Sequence, residues 1–191
     1  MESLLSRLAA LPAVLRCRRG VVAIEFAAMM PILALMLIGV FEVTRYMIAI
    51  QKVDRIAVAM ADYVSQAQTI TQSELDDLFE AVATISSPVS FESGTVFVSS
   101  VYKSSDAAPP TIVWQRKGGG PLSVASAIGA EGGTASLPQG MTLIALEGMV
   151  VAEAVMDFEP VFLQAFVSPV RIYRTAFYRP RKSNQVAISG N

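Results

Sequence analysis

Residues 16–50, RCRRGVVAIEFAAMMPILALMLIGVFEVTRYMIAI, limit what this chain can become more than any other stretch. Phe26 to Phe41 carries no charged side chain, and Val21 to Ile24 extends the apolar run to the roughly 20 residues that cross a bilayer core. The reading is a transmembrane helix within residues 21–50, preceded by a basic leader, residues 1–20. No later segment is long and apolar enough to cross back, so the roughly 140 residues that follow, about one domain, are expected on one side of the membrane.

Charge supplies the expected orientation. Residues 1–20 hold Arg7, Arg16, Arg18 and Arg19 against Glu2, a balance of +3 in a chain whose net charge is −1. Positive residues flank the cytoplasmic end of a span, which predicts an N-terminus inside and a weakly acidic domain outside. Such a domain is a poor nucleic-acid partner. The mean hydropathy of +0.49 is high for a soluble domain, with the excess before residue 65.

Residue types narrow the chemistry. The sequence has no histidine and a single cysteine, Cys17, inside the leader. The outer domain therefore offers no disulfide, no thiolate metal site and no imidazole base or ligand. Leu15-Arg16 before Cys17, with the apolar run after it, is the wrong order for a lipoprotein signal. No small-residue cleavage pattern follows the span near Ile50.

The order of residues at the leader boundary is Arg18-Arg19-Gly20, then Val21-Val22-Ala23-Ile24, then Glu25-Phe26. This resembles the cleavage region of type IV prepilins, whose peptidase cuts after the glycine and leaves a glutamate at the fifth mature position. Glu25-Phe26 matches the glutamate-aromatic pair of the Flp subclass. With Ala27, Pro31 and Gly39-x-x-Glu42-x-x-Arg45, residues 18–50 resemble the TadE-like family, minor pseudopilins of the tight-adherence (Tad/Flp, type IVb) pilus. The segment Glu153 to Pro160, with a late strand ending in Arg179-Pro180-Arg181, is similar to that family's closing portion.

The resemblance implies Gly20 and Val21 as the processing site. It also implies Glu25 and Phe26 as assembly residues, Glu25 neutralising the new N-terminal amine of a neighbouring subunit. Physical reasons stand beside each implied role. Gly20 lets an extended backbone enter a protease cleft. A carboxylate such as Glu25 costs on the order of 2.5–3.5 kcal/mol at mid-bilayer, less near the interface, unless paired; the plainer reading is an interfacial acid reaching for headgroups. Pro31 removes a helix hydrogen bond and should bend the span. Gly39 permits close helix approach. Glu42 and Arg45, three apart, share one helix face at the outer interface.

Beyond the span, Val53, Ile56, Ala57, Met60, Tyr63, Val64 and Ala67 recur at helical spacing. A helix from about Val22 to Gln68 is predicted, its upper half a stalk. Thr71-Gln72-Ser73-Glu74 reads as a capping box opening a second helix that ends at Ser86-Ser87-Pro88. Its acids Glu74, Asp76, Asp77 and Glu80 lack the glycine and spacing of a calcium loop and suit a first turn.

From residue 93 to 182 the pattern turns to strands. Thr95 to Tyr102 and Thr111 to Gln115 are expected to pair as a hairpin, with Trp114 burying its ring. Gly118-Gly119-Gly120-Pro121, Glu131-Gly132-Gly133 and Leu137-Pro138-Gln139-Gly140 read as connections. In Met149 to Phe158, the side chains Val150, Ala152, Ala154, Met156 and Phe158 share one face. That face is expected to pack on the stalk, with the face of Val151, Glu153, Val155 and Asp157 half solvated. Val161 to Phe166 is an apolar connector, Arg171 to Tyr178 the last strand, and 183–191 a frayed tail. Arg171, Arg174, Arg179, Arg181 and Lys182 form a basic edge, suited either to an acidic neighbour or headgroups or to guarding an edge strand.

The expected class is α+β: a long N-terminal membrane-spanning helix continuing as a stalk on a small antiparallel sheet, pilin-like. The expected function is non-enzymatic pilus assembly, without cofactors. Implied partners are a prepilin peptidase, other Tad pseudopilins and the major Flp pilin, and the inner-membrane platform and ATPase. The competing readings are an unprocessed bitopic scaffold or TadG-like adhesin, and a membrane-anchored enzyme. The last lacks a Gly-x-Ser-x-Gly arrangement.

Overall fold

The computed structural model describes residues 18–85, 91, 93–138 and 140–190. The leader residues 1–17, with Cys17, and the helix-ending residues 86–90 lie outside them. The class is α+β, and two compact units are separable, one ending at Thr44 and one beginning at Arg45. Helix α1 (Arg18–Gln66) continues from the first into the second. No glycine or proline after Gly39 interrupts it.

In the second unit β1 (Thr69–Thr71) leads into α2 (Gln72–Ile85). The start of α2 is set by the anticipated reciprocal cap. Thr71 donates its backbone N–H to Glu74 Oε2 at 2.8 Å, and the Glu74 N–H donates to Thr71 Oγ1 at 3.2 Å. Asp76 accepts from the Gln72 amide at 3.0 Å, so the acids of this turn organise the helix itself.

Four antiparallel strands follow: β2 (Gly94–Lys103), β3 (Thr111–Gly118), β4 (Glu147–Phe158) and β5 (Val170–Tyr178). Their order across the sheet is β3-β2-β4-β5. One sheet face, with Val96, Val98, Val150, Ala152, Ala154 and Met156, shares a core with Val53, Ile56, Met60 and Val64 of α1 and Leu75, Phe79 and Val82 of α2. This is the two-layer packing that joins a helix stripe to a sheet face. Gly118 lets α2 sit close, because a Cβ there would collide with the Phe79 ring.

The opposite face departs from expectation. Val151, Glu153 and Val155 are buried. The glycine-punctuated segment 119–146, read as connections, covers part of it: Ile128, Ala135 and Leu143 form a second core with Val101, Ile112, Met149 and Val151. A bulge makes both cores possible. Ser100 pairs with Trp114 but Val101 with Ile112, leaving Val113 as the extra residue. Two residues apart, Ile112 and Trp114 would otherwise face the same way; the bulge sends them to opposite faces.

The tail also differs from the frayed segment expected. Residues Ala187–Ser189 form β6, pairing in parallel with β1. The buried Val186 offers its carbonyl to Trp114 Nε1 at 2.8 Å and to Ser100 Oγ at 3.2 Å. A three-residue strand has no periodicity to read; long-range hydrogen bonds hold it.

The basic edge is largely paired inside the unit. Arg171 grips Asp157 through two hydrogen bonds of 2.7 and 2.8 Å, Arg179 meets Glu147 at 2.8 Å, and Arg181 pairs with Asp62. These contacts suit strand guarding more than recruitment of an acidic partner.

Glu153, 0% exposed, is held by three donors: Ser126 Oγ, the Ala127 N–H at 2.8 Å and the Tyr173 hydroxyl at 2.7 Å. They join the covering segment, β4 and β5. Burial, then the hydrogen bond to the Glu153 carboxylate, pushes the Tyr173 phenol well above its usual range. Glu153→Ala removes the shared acceptor and leaves its donors unmatched, so the full chain in detergent should lose about 3 kcal/mol of stability by denaturant titration. An unchanged midpoint would contradict this clasp.

Acid should weaken the unit through other carboxylates. The Arg171 side chain lowers the pKa of Asp157, and the Thr71 backbone N–H lowers that of Glu74. A depressed folded-state value gives stability that is complete above the unfolded value, about 4, and lost as pH falls from there through the folded value. Asp157→Asn should therefore destabilise the protein slightly at neutral pH, and the difference from wild type should shrink below about pH 4. A difference constant down to pH 2 would oppose the assignment.

Candidate functional site

The residues implicated by the leader motif lie on α1, so helix geometry alone arranges them. Gly20 is inside the helix and exposed, and a Cβ built there meets nothing. The helix, expected from about Val22, thus begins earlier and includes the glycine. A helical glycine costs about 1 kcal/mol relative to alanine, so this turn opens comparatively easily.

Val21, Glu25 and Phe26 are all exposed. Val21 and Glu25 are four apart and lie on one face of the helix. The apolar surface around them runs right round the helix: Ile24, Met29, Leu33, Met36 and Leu37 are exposed, although they point in different directions. A helix apolar on every side is built for lipid or for other helices. Among the described residues it is the only helix long and apolar enough to cross a membrane.

Pro31 lies inside the helix, which continues without a break across it. Its ring nitrogen cannot donate to the Ala27 carbonyl, so that acceptor is free for a neighbour. Open space beside Gly39 leaves room for a closely packed helix. Glu42 is 5% exposed, between the exposed Phe41 and Val43. Arg45 places its guanidinium carbon 5.4 Å from the centre of the Phe158 ring, which Tyr46 also meets edge-on at 5.4 Å. That cation–π contact joins the start of the second unit to the end of β4. Nothing in the linear pattern pointed to it.

The Glu153 cluster was also missed, since it unites three separated segments. Its one sequence signal is an acid flanked by Val151 and Val155 on its β4 face, with Asp157 beyond. Chemically it is a structural clasp: both carboxylate oxygens already accept hydrogen bonds, and Ser126 is directed at the acid.

No curated protein and no solved structure matches the chain. A family model does match, over the helix that carries the candidate residues, from Gly20 into the buried stripe of the second unit. The description of that family is TadE-like protein, and residues 20–61 of this chain match it.

Proposed function

We propose that this chain is a minor pseudopilin-like component of tight-adherence (Tad/Flp, type IVb) pilus assembly, anchored in the bacterial inner membrane and acting without catalysis. The observation that carries the reading is the TadE-like match over residues 20–61 on a helix whose apolar surface is exposed all round as far as Phe41. In this mechanism a prepilin peptidase cuts between Gly20 and Val21 on the cytoplasmic face. The new amine at Val21 and the Glu25 carboxylate of an adjacent subunit neutralise one another, and Phe26, Pro31 and Gly39 shape the helix contacts. Its partners are other Tad pseudopilins, the major Flp pilin, and the platform and ATPase. The basic leader sets the N-terminus in the cytoplasm and the sheet unit in the periplasm.

Intact mass of the protein from its native membrane should begin at Val21, whereas Gly20→Val should retain residues 1–20. Both proteins beginning at Met1 would favour the alternative, an unprocessed scaffold or TadG-like adhesin. Glu25→Gln should still be cut, because the peptidase reads the glycine boundary. Its crosslinking to other pseudopilins should fall roughly tenfold or more, in line with a charge-assisted contact of about 1.5–3 kcal/mol. Unaltered crosslinking would leave Glu25 as an interfacial acid without an assembly role.

A further inference from the structure

The connection between β4 and β5 presents an exposed apolar turn that the assembly reading does not use. Phe166, at 86%, and Phe162, at 58%, are exposed there, with Val161 and Val167 beside them. The turn is ordered by the Leu163 carbonyl, which accepts from the N–H groups of Phe166 at 2.9 Å and Val167 at 2.8 Å. From Pro160 to Val170 no side chain is charged, so moving this turn out of water strips no ion of its hydration.

Its place in the unit suggests what covers it. A cleft of about 320 Å³ is lined by Arg45, Phe158, Glu159, Val161 and Gln164, which puts the turn at the end of the sheet where the unit begins. Arg45 follows Thr44 directly and lies near the end of the exposed apolar stretch of α1, whose last members, Met47 and Ile48, precede the buried Ala49. Exposed apolar residues at the opposite end, Ile144 and Leu146, lie near the start of β4 instead.

We infer that residues 161–167 form a second, non-spanning membrane contact, in which Phe162 and Phe166 enter the headgroup and acyl boundary of the leaflet from which the span emerges. The occupant of this surface is lipid. Apolar side chains gain by leaving water at this depth, and the span holds the turn near the surface, so little further freedom is lost on insertion. The inference rests on α1 spanning a bilayer and is independent of pilus assembly.

The test uses the full chain in phosphatidylcholine vesicles. Cys17 is replaced by serine, and an environment-sensitive fluorophore is attached at Phe166→Cys, at Leu35→Cys within the span, or at Ala107→Cys in the exposed β2–β3 turn. Nitroxide-labelled lipid should quench Phe166→Cys about twofold or more at shallow nitroxide positions, Leu35→Cys at deep ones, and Ala107→Cys hardly at all. Quenching at Leu35→Cys without quenching at Phe166→Cys overturns the loop contact and spares the span. Quenching at neither overturns both. Shielding at Phe166→Cys that grows with the protein-to-lipid ratio, without lipid quenching, overturns lipid as the occupant in favour of a second copy.

Discussion

Helix α1 changes character along its axis, from exposed apolar surface to a buried stripe, and the remainder of the fold depends on that change. Through its first half the apolar side chains point in every direction, on a helix long and apolar enough to cross a membrane. From Ala49 the apolar residues narrow to a stripe: Ala49, Val53, Ile56, Met60 and Val64 are buried, while polar neighbours face out. The sheet requires that stripe. Its inner face of valines, alanines and Met156 would otherwise be an exposed patch prone to association.

The second face faced the same problem and met it without a helix. A long segment rich in glycine contributes only a few apolar anchors, and the Glu153 clasp adds hydrogen bonds where apolar area is scarce. A buried carboxylate is tolerable there because three donors surround it. Trp114, 2% exposed, performs a related task on the inner face, filling the core while its indole N–H retains the C-terminal segment.

Much of this was legible wherever the controlling physics is local. The cap at Thr71 and Glu74, the β2–β3 hairpin and the inward set on β4 each depend on residues within one or two turns or strands. The long apolar helix was legible for the same reason, since its uninterrupted apolar run is local. What escaped is non-local. The covering segment has no period because it is neither helix nor strand, the bulge at Val113 shows only once partners are known, and β6 exists through β1. Glu153 looked like any solvent-facing acid until Ser126 and Tyr173 were brought to it by chain crossings. The helical state of Gly20 escaped because local propensity argues against glycine, while the continuing helix behind it outweighs about 1 kcal/mol.

The central claim, one helix in two environments, is tested most directly by scanning spin labels along α1 in the full chain in bilayers and measuring accessibility to molecular oxygen. The account predicts high accessibility at every position from Val22 to Phe41, with no face protected, giving way to a helical period of about 3.6 residues from Ala49 to Gln66, with Val53, Ile56 and Met60 at the minima. A 3.6-residue period already present between Val22 and Phe41 would contradict it. So would uniform accessibility beyond Ala49.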